Sequence, residues 1–114
     1  MGNEIVHALT IDVEDYFMVS AFESSVKKSD WDQYESRVVK NTYKVLGILD
    51  EFKVHGTFFV LGWIGERYPD LVKKICQDGH EVACHGYDHR LVYHQNPEEF
   101  RQDIRRSKTI LERT

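Results

Sequence analysis

Hydrophobic spacing along the chain switches repeatedly between a strand-like and a helix-like period. Ile5 to Ile11 is a short apolar-rich run with β-branched residues and no helical spacing, which predicts a buried strand. Val39, Tyr43, Leu46, Leu49 and Phe52 recur at three- and four-residue steps, so residues 37–53 predict an amphipathic helix with its apolar stripe on a sheet. Thr57 to Leu61, bounded by Gly56 and Gly62, predicts a short, fully buried central strand. Helical spacing returns from Ile64 through Tyr68, Leu71, Val72 and Ile75. It is interrupted by Pro69, which belongs near a helix start, and closed by Gly79 as a left-handed C-cap. Glu81 to Cys84 predicts a third strand. Asn96 as N-cap, Pro97 at the first helical position and Glu99 two residues later predict a last helix carrying Phe100, Ile104 and Leu111.

Strands alternating with helices imply right-handed crossovers and a parallel sheet, hence an α/β fold. Residues 15–35 stand outside this rhythm: they have no clean period and hold Phe17, Phe22, Trp31 and Tyr34. Their length suggests a functional or ligand-covering loop, the simpler alternative being aromatics that plug the core edge. Three parallel strands make a thin sheet with unpaired edges, and a charged helix reaches Thr114 with no strand to receive it. The chain is therefore expected to be a portion of a longer protein.

Composition narrows the class further. A chain of 114 residues holds one domain at most, and 41% hydrophobic with 12% aromatic residues supports a packed core. A net charge of -4 with no long single-sign run lacks the footprint of a nucleic-acid binder. No apolar run approaches the ~18 residues of a membrane span, and the start, MGNEIVHALTIDVED, is not built as a secretory signal. The default compartment is cytoplasmic unless a signal or anchor precedes this sequence. Cys76 and Cys84 form neither a disulfide framework nor a CxxC pair and are expected to be small buried thiols.

Active sites of parallel α/β folds collect at the carboxyl edge of the strands, so residues following the first and third strands share one rim. Asp12, Glu14 and Asp15 follow the first; His85 and His89 follow the third, with Gly86 permitting a tight turn. Two imidazoles four residues apart reach one metal ion if the segment curls as a helical turn, and a neighbouring carboxylate completes a three-ligand set. A divalent cation, zinc above others, would there activate water and polarise a carbonyl while a second carboxylate takes the proton: metal-assisted hydrolysis. Glu14 and Asp15 compete for the ligand role, since alternation puts Asp12 with Glu14 and admits Asp15 only if the chain turns. Trp63, after the second strand, and Tyr87, inside the histidine segment, are candidate substrate-facing aromatics. His7, His55, His80 and His94 lack partners at ligand spacing and are expected to be structural or solvated.

Two stretches, LTIDVEDYF and GTFFVLGWIGERYPDLVKKICQDGHEVACHGYDH, together resemble the polysaccharide deacetylase family, carbohydrate esterase family 4, over nearly the whole chain from His7 to about Leu111. The resemblance implies a deformed (β/α) barrel, of which residues 1–114 would be the N-terminal three βα units of the catalytic domain. It implies that Asp12 is the general base and that His85 and His89 are metal ligands. The family's usual adjacent Asp-Asp pair is replaced here by Asp-Val-Glu-Asp, as in the peptidoglycan deacetylase-like and allantoinase-like branch. That spacing would make Glu14 the acid ligand, with Asp15 the alternative. The Asp-Val-Glu-Asp-Tyr-Phe string is also similar to deacetylases found beside bacterial exopolysaccharide export loci. The implied substrate is an N-acetylated polysaccharide or oligosaccharide, deacetylated by hydrolysis of a carbon–nitrogen bond other than a peptide bond. The family's base-orienting arginine and general-acid histidine have no counterpart in this chain, which alone is expected not to turn over without the remainder of the parent domain.

Other readings are a hydrolase of another small amide, a non-catalytic carbohydrate-binding remnant, and a phospho-acceptor receiver. The receiver needs an acceptor Asp at the end of the third strand, where Cys84-His85 stands; Asp50 falls inside a predicted helix.

Overall fold

The computed structural model describes residues 4–114. Three strands, β1 (Thr10–Val13), β2 (Thr57–Val60) and β3 (Glu81–Cys84), form one parallel sheet in the order β1-β2-β3. Their connections carry helices α1 (Val38–Glu51), α2 (Gly62–Arg67) and α3 (Pro69–Gln77), and α4 (Pro97–Glu112) follows β3. Crossovers that advance in one direction with one hand put the connecting helices on one face of the sheet. That face carries Val13, Phe58 and Val60, all buried, with Leu46, Leu49, Ile64, Leu71 and Ile75 from the helices.

The first strand starts later than its apolar pattern suggests. Thr10 pairs with Thr57, the first residue of β2, so nothing lies opposite the residues before Leu9, and Ile5 and Val6 are exposed. Asp12 consequently lies inside β1 instead of beyond it. The amphipathic helix runs where expected, but its buried face is Val38, Thr42, Leu46 and Leu49, while Tyr43 and Phe52 are exposed. Its end is turned by Lys53 in the left-handed region (φ 55°), with Val54 N–H returning to Leu49 O at 2.9 Å.

Pro69 splits the next helical pattern in two. It occupies the first turn of α3, and Tyr68 before it is driven to φ −127°, ψ 62°, outside helical geometry. Gly79 adopts the expected positive φ of 88°. Asn96 and Glu99 form the reciprocal capping box at the start of α4. Cys76 is exposed and Cys84 half-buried, so neither is the fully buried thiol expected, and both are free. The long segment after β1 folds as three short 3₁₀ turns whose Phe17, Met18 and Trp31 are buried against Trp63 and Tyr34, plugging the core edge.

Candidate metal centre

Sheet register brings the donors together. Val13 and Cys84 both stand level with Val60, so Glu14 and His85 leave the sheet at the same height on either side of β2. Two strand spacings of about 4.8 Å separate them, a gap that two long side chains leaning inward can close. Alternation also decides the face. Asp12, Phe59 and Ala83 are aligned across the strands, and the next positions on that side are Glu14 and His85. This is the face opposite the one that buries Val13, Phe58 and Val60.

Glu14, His85 and His89 converge there, with one donor atom from each lying within 4.8 Å of the others. His89 Nε2 lies 3.0 Å and His85 Nε2 3.5 Å from Glu14 Oε2. These values bracket the ~3.3 Å edge of a tetrahedron drawn with zinc–nitrogen and zinc–oxygen bonds of about 2.0–2.2 Å. Close as they are, the groups make no aligned hydrogen bonds: Glu14 Oε2, His85 Nε2 and His89 Nδ1 are buried without a partner among the described residues. Buried polar atoms left unpaired cost about 1–3 kcal/mol each unless something binds them, and a cation would satisfy the carboxylate oxygen and imidazole nitrogen together. The donor set therefore fits a divalent metal of the zinc class.

The three groups are also coupled electrostatically. Contact with His85 holds the Glu14 carboxyl below its ordinary value, against the opposing effect of burial, with the charges of His89 and His85 adding to the lowering. Contact with Glu14 raises His85, burial lowers it, and the charges of Asp12 and Glu14 raise it again. Asp12 Oδ2 lies 3.7 Å from His85 Nε2 with a largely exposed carboxylate, at the mouth of the cluster and free to meet a ligand.

The histidine segment joins its two imidazoles by a tight turn at Gly86 and not by a helical turn. Gly86 and His89 both adopt left-handed backbone angles (φ 81° and 63°), and this double reversal brings the second imidazole back beside the first. For His89 that conformation costs about 1–2 kcal/mol. Amides at the start of α2 hold the segment: Gly62 N–H donates to Gly86 O and Trp63 N–H to Tyr87 O, each at 2.8 Å.

Asp15 is not brought to the donors. Its carboxylate, 2% exposed, accepts from Tyr16 N–H, Ser36 Oγ, Arg37 N–H and Val38 N–H, capping α1 from 22 residues upstream of Arg37. Trp63 also lies elsewhere, buried against Phe17 and Trp31 with the Arg67 guanidinium 3.6 Å from its ring centroid. Tyr87 turns toward α2 and α4, its hydroxyl donating to Glu66 at 2.8 Å and its ring beneath Arg106. A cleft of about 380 Å³ along the free edge of β1 is lined by Asp12 and Glu14 together with Tyr16, Arg37 and Asn41. Arg37 and Asn41, one helical turn apart, are readable in sequence as neighbours, but no local pattern places that turn beside the acids.

Fold and donor set together define an α/β protein of parallel strands with a carboxylate and two imidazoles gathered at the carboxyl edge. The chain belongs to the polysaccharide deacetylase family, whose profile matches residues 25–114. That match includes His85 and His89 but begins after the acids, so the placement of Asp12 and Glu14 rests on the geometry. The chain is 38% identical over 72 residues to a peptidoglycan-N-acetylglucosamine deacetylase of Bacillus cereus, covering 63% of this chain and 26% of that protein. It is 44% identical over 48 residues to a chitooligosaccharide deacetylase of Rhizobium leguminosarum bv. trifolii, covering 42% of this chain and 22% of that one. The solved structure of the peptidoglycan deacetylase PdaC from Bacillus subtilis superposes with a TM-score of 0.68 at 26% identity. That likeness covers 97% of this chain and 44% of the PdaC chain. The three parallel strands and their helices thus match part of the family's deformed barrel, and the chain spans less than half the length of these relatives.

Proposed function

We propose that the chain is the N-terminal portion of the catalytic domain of a metal-dependent deacetylase acting on the N-acetylated sugars of a polysaccharide. The observation that carries this reading is the convergence of Glu14, His85 and His89, with Glu14 Oε2 and His85 Nε2 buried and unpartnered among the described residues. These three residues would hold the metal, and a nitrogen-rich donor set favours zinc over magnesium or calcium. A bound cation of this class supplies Lewis-acid polarisation of an acetamide carbonyl and acidifies water. We assign acceptance of the attacking water's proton to Asp12, a reading supported by its carboxylate 3.7 Å from His85 Nε2 at the mouth of the cluster. Its side chain is more than half exposed, which leaves it accessible to the sugar's acetamido group. The polymers named for the matched relatives, peptidoglycan and chitooligosaccharide, support an acetamido-sugar substrate, in a role in bacterial cell-wall or exopolysaccharide modification. The rest of the longer domain would supply the remaining catalytic groups, including a donor for the leaving amine.

The test has two arms. Zinc titration of the full-length protein should show one equivalent bound, lost in Glu14→Ala, His85→Ala and His89→Ala. Acetate release from an N-acetylated chitooligosaccharide by the full-length protein should fall by about 10²–10⁴-fold in Asp12→Asn with zinc content retained. Full activity of the Asp12 variant, or zinc binding indifferent to the three donors, overturns the assignment.

A further inference from the structure

The histidine segment is gripped from a part of the chain that belongs to neither ligand motif. Asp103, in the second turn of α4, receives the backbone N–H of Tyr87 on Oδ1 at 3.3 Å. Its Oδ2 lies 3.1 Å from the position a Cβ would take on Gly86, so this carboxylate covers the left-handed turn that separates His85 from His89. The same two peptide units are fixed from the other side by Gly62 N–H and Trp63 N–H of α2, which bind their carbonyls. Helix α4 can approach this closely because Ser107, fully buried, meets Gly62: a Cβ there would stand 3.0 Å from Ser107 Oγ and 3.2 Å from its Cα. The segment is thus held between two helices, with one carboxylate and two amides bonding its backbone.

We infer that Asp103 is a positioning residue for the cation site, setting the separation of His85 and His89 through the Gly86–Tyr87 backbone. The inference rests on the metal reading above. Three features single out Asp103 among the neighbours of the loop. It bonds backbone, so it acts whatever the side chain at position 87; it contacts the residue immediately after His85; and it comes from an independent element. Burial pushes its carboxyl up, the Tyr87 N–H opposes that rise, Asp88 adds to it, and Lys28 and Arg106 counter it. Groups that orient metal ligands through such bonds typically change metal affinity about 10–100-fold when removed.

The experiment is a titration of the full-length protein with Zn²⁺ and with Co²⁺, in wild type, Asp103→Ala, Asp103→Asn and Asp103→Glu. Asp103→Ala should weaken cation affinity by about tenfold or more and alter the Co²⁺ visible absorption at saturation, with the thermal midpoint of the metal-free chain little changed. Asp103→Asn keeps an oxygen where Oδ1 stands and should recover most of the affinity and the wild-type spectrum. Should Asp103→Ala fail to fold, Asp103→Glu serves instead: its acceptor is displaced by one methylene, and weakened binding in a folded chain is expected. Wild-type affinity and an unchanged Co²⁺ spectrum in Asp103→Ala or Asp103→Glu overturn the inference alone. A wild-type chain that binds neither cation overturns the metal reading and the inference with it.

Discussion

Truncating Asp15 to alanine separates the two acids that compete for the metal in the sequence. Asp15 is almost wholly buried and serves the first turn of α1 with hydrogen bonds from Ser36 Oγ at 2.9 Å, Arg37 N–H at 3.0 Å and Val38 N–H at 3.3 Å. Loss of a helix cap costs about 1 kcal/mol. A buried donor left without an acceptor costs about 1–3 kcal/mol more; here three backbone donors and a hydroxyl lose theirs, of which Val38 N–H is the fully buried one. The sum for Asp15→Ala is about 2–4 kcal/mol, a large share of the ~5–15 kcal/mol by which ordinary domains are stable. Urea unfolding followed by circular dichroism reads this directly, and zinc titration below the transition reads the site. Asp15→Ala should unfold at much lower urea while its folded fraction still binds zinc; Glu14→Ala should show the reverse. An Asp15→Ala chain as stable as wild type but deficient in zinc would make Asp15 the ligand and refute the reasoning.

Two further outcomes follow from the packing. His80 is buried and accepts Gly56 N–H on Nδ1 at 3.0 Å; burial first, then the nearby His55, lowers its pKa below 6.5, against the opposing charge of Asp78. The unfolded chain therefore takes up this proton first, so the His80 contribution to stability is complete above pH 6.5 and is lost as pH falls below it. His80→Asn, whose Oδ1 can replace Nδ1 as acceptor, should show a shallower loss of stability between about pH 7 and 5 than wild type; parallel curves would refute this. Gly62→Ala places a Cβ 2.8 Å from Tyr87 Cδ2 and 3.2 Å from the Ser107 backbone, so it should cost about 1–3 kcal/mol in urea unfolding and weaken zinc binding. A neutral Gly62→Ala would mean that α2 and α4 are not in contact.

Much of the fold is visible in the chain because its cues are local. The apolar period of α1, the Asn96-Pro97-Glu99 start of α4 and the glycine at 79 each depend on residues a few positions apart, and each element forms where its cue lies. The start of β1 was hidden because a strand begins where its neighbour offers a partner, and β2 offers none before Thr57. The buried stripe of α1 was misplaced for a similar reason. Tyr43 and Phe52 match the spacing but face away from the sheet, and only the docking angle decides between rows of similar apolar content. Spacing alone leaves the conformation of the histidine segment open, a helical turn being the simplest one that joins the two imidazoles. The left-handed angles of Gly86 and His89 depend on amides of α2 and the carboxylate of α4, which lie far away in sequence.

The adjacent acids show where local reading ends inside the site itself. Glu14 and Asp15 are one residue apart, and the strand's alternation continues past Val13 far enough to send them to opposite sides. Glu14 falls on the side of Asp12 and meets the imidazoles; Asp15 falls on the side of Val13, where the helices pack. The start of α1 carries free N–H groups and a partial positive charge, and Arg37 at its cap position provides no side-chain cap of its own. An acceptor is therefore favoured at that place, and Asp15 supplies it while Glu14 turns to the imidazoles. Neither role can be assigned from the string Asp-Val-Glu-Asp, because the residues that separate them, Ser36 to Val38 and His85 to His89, reach them only through the folded sheet.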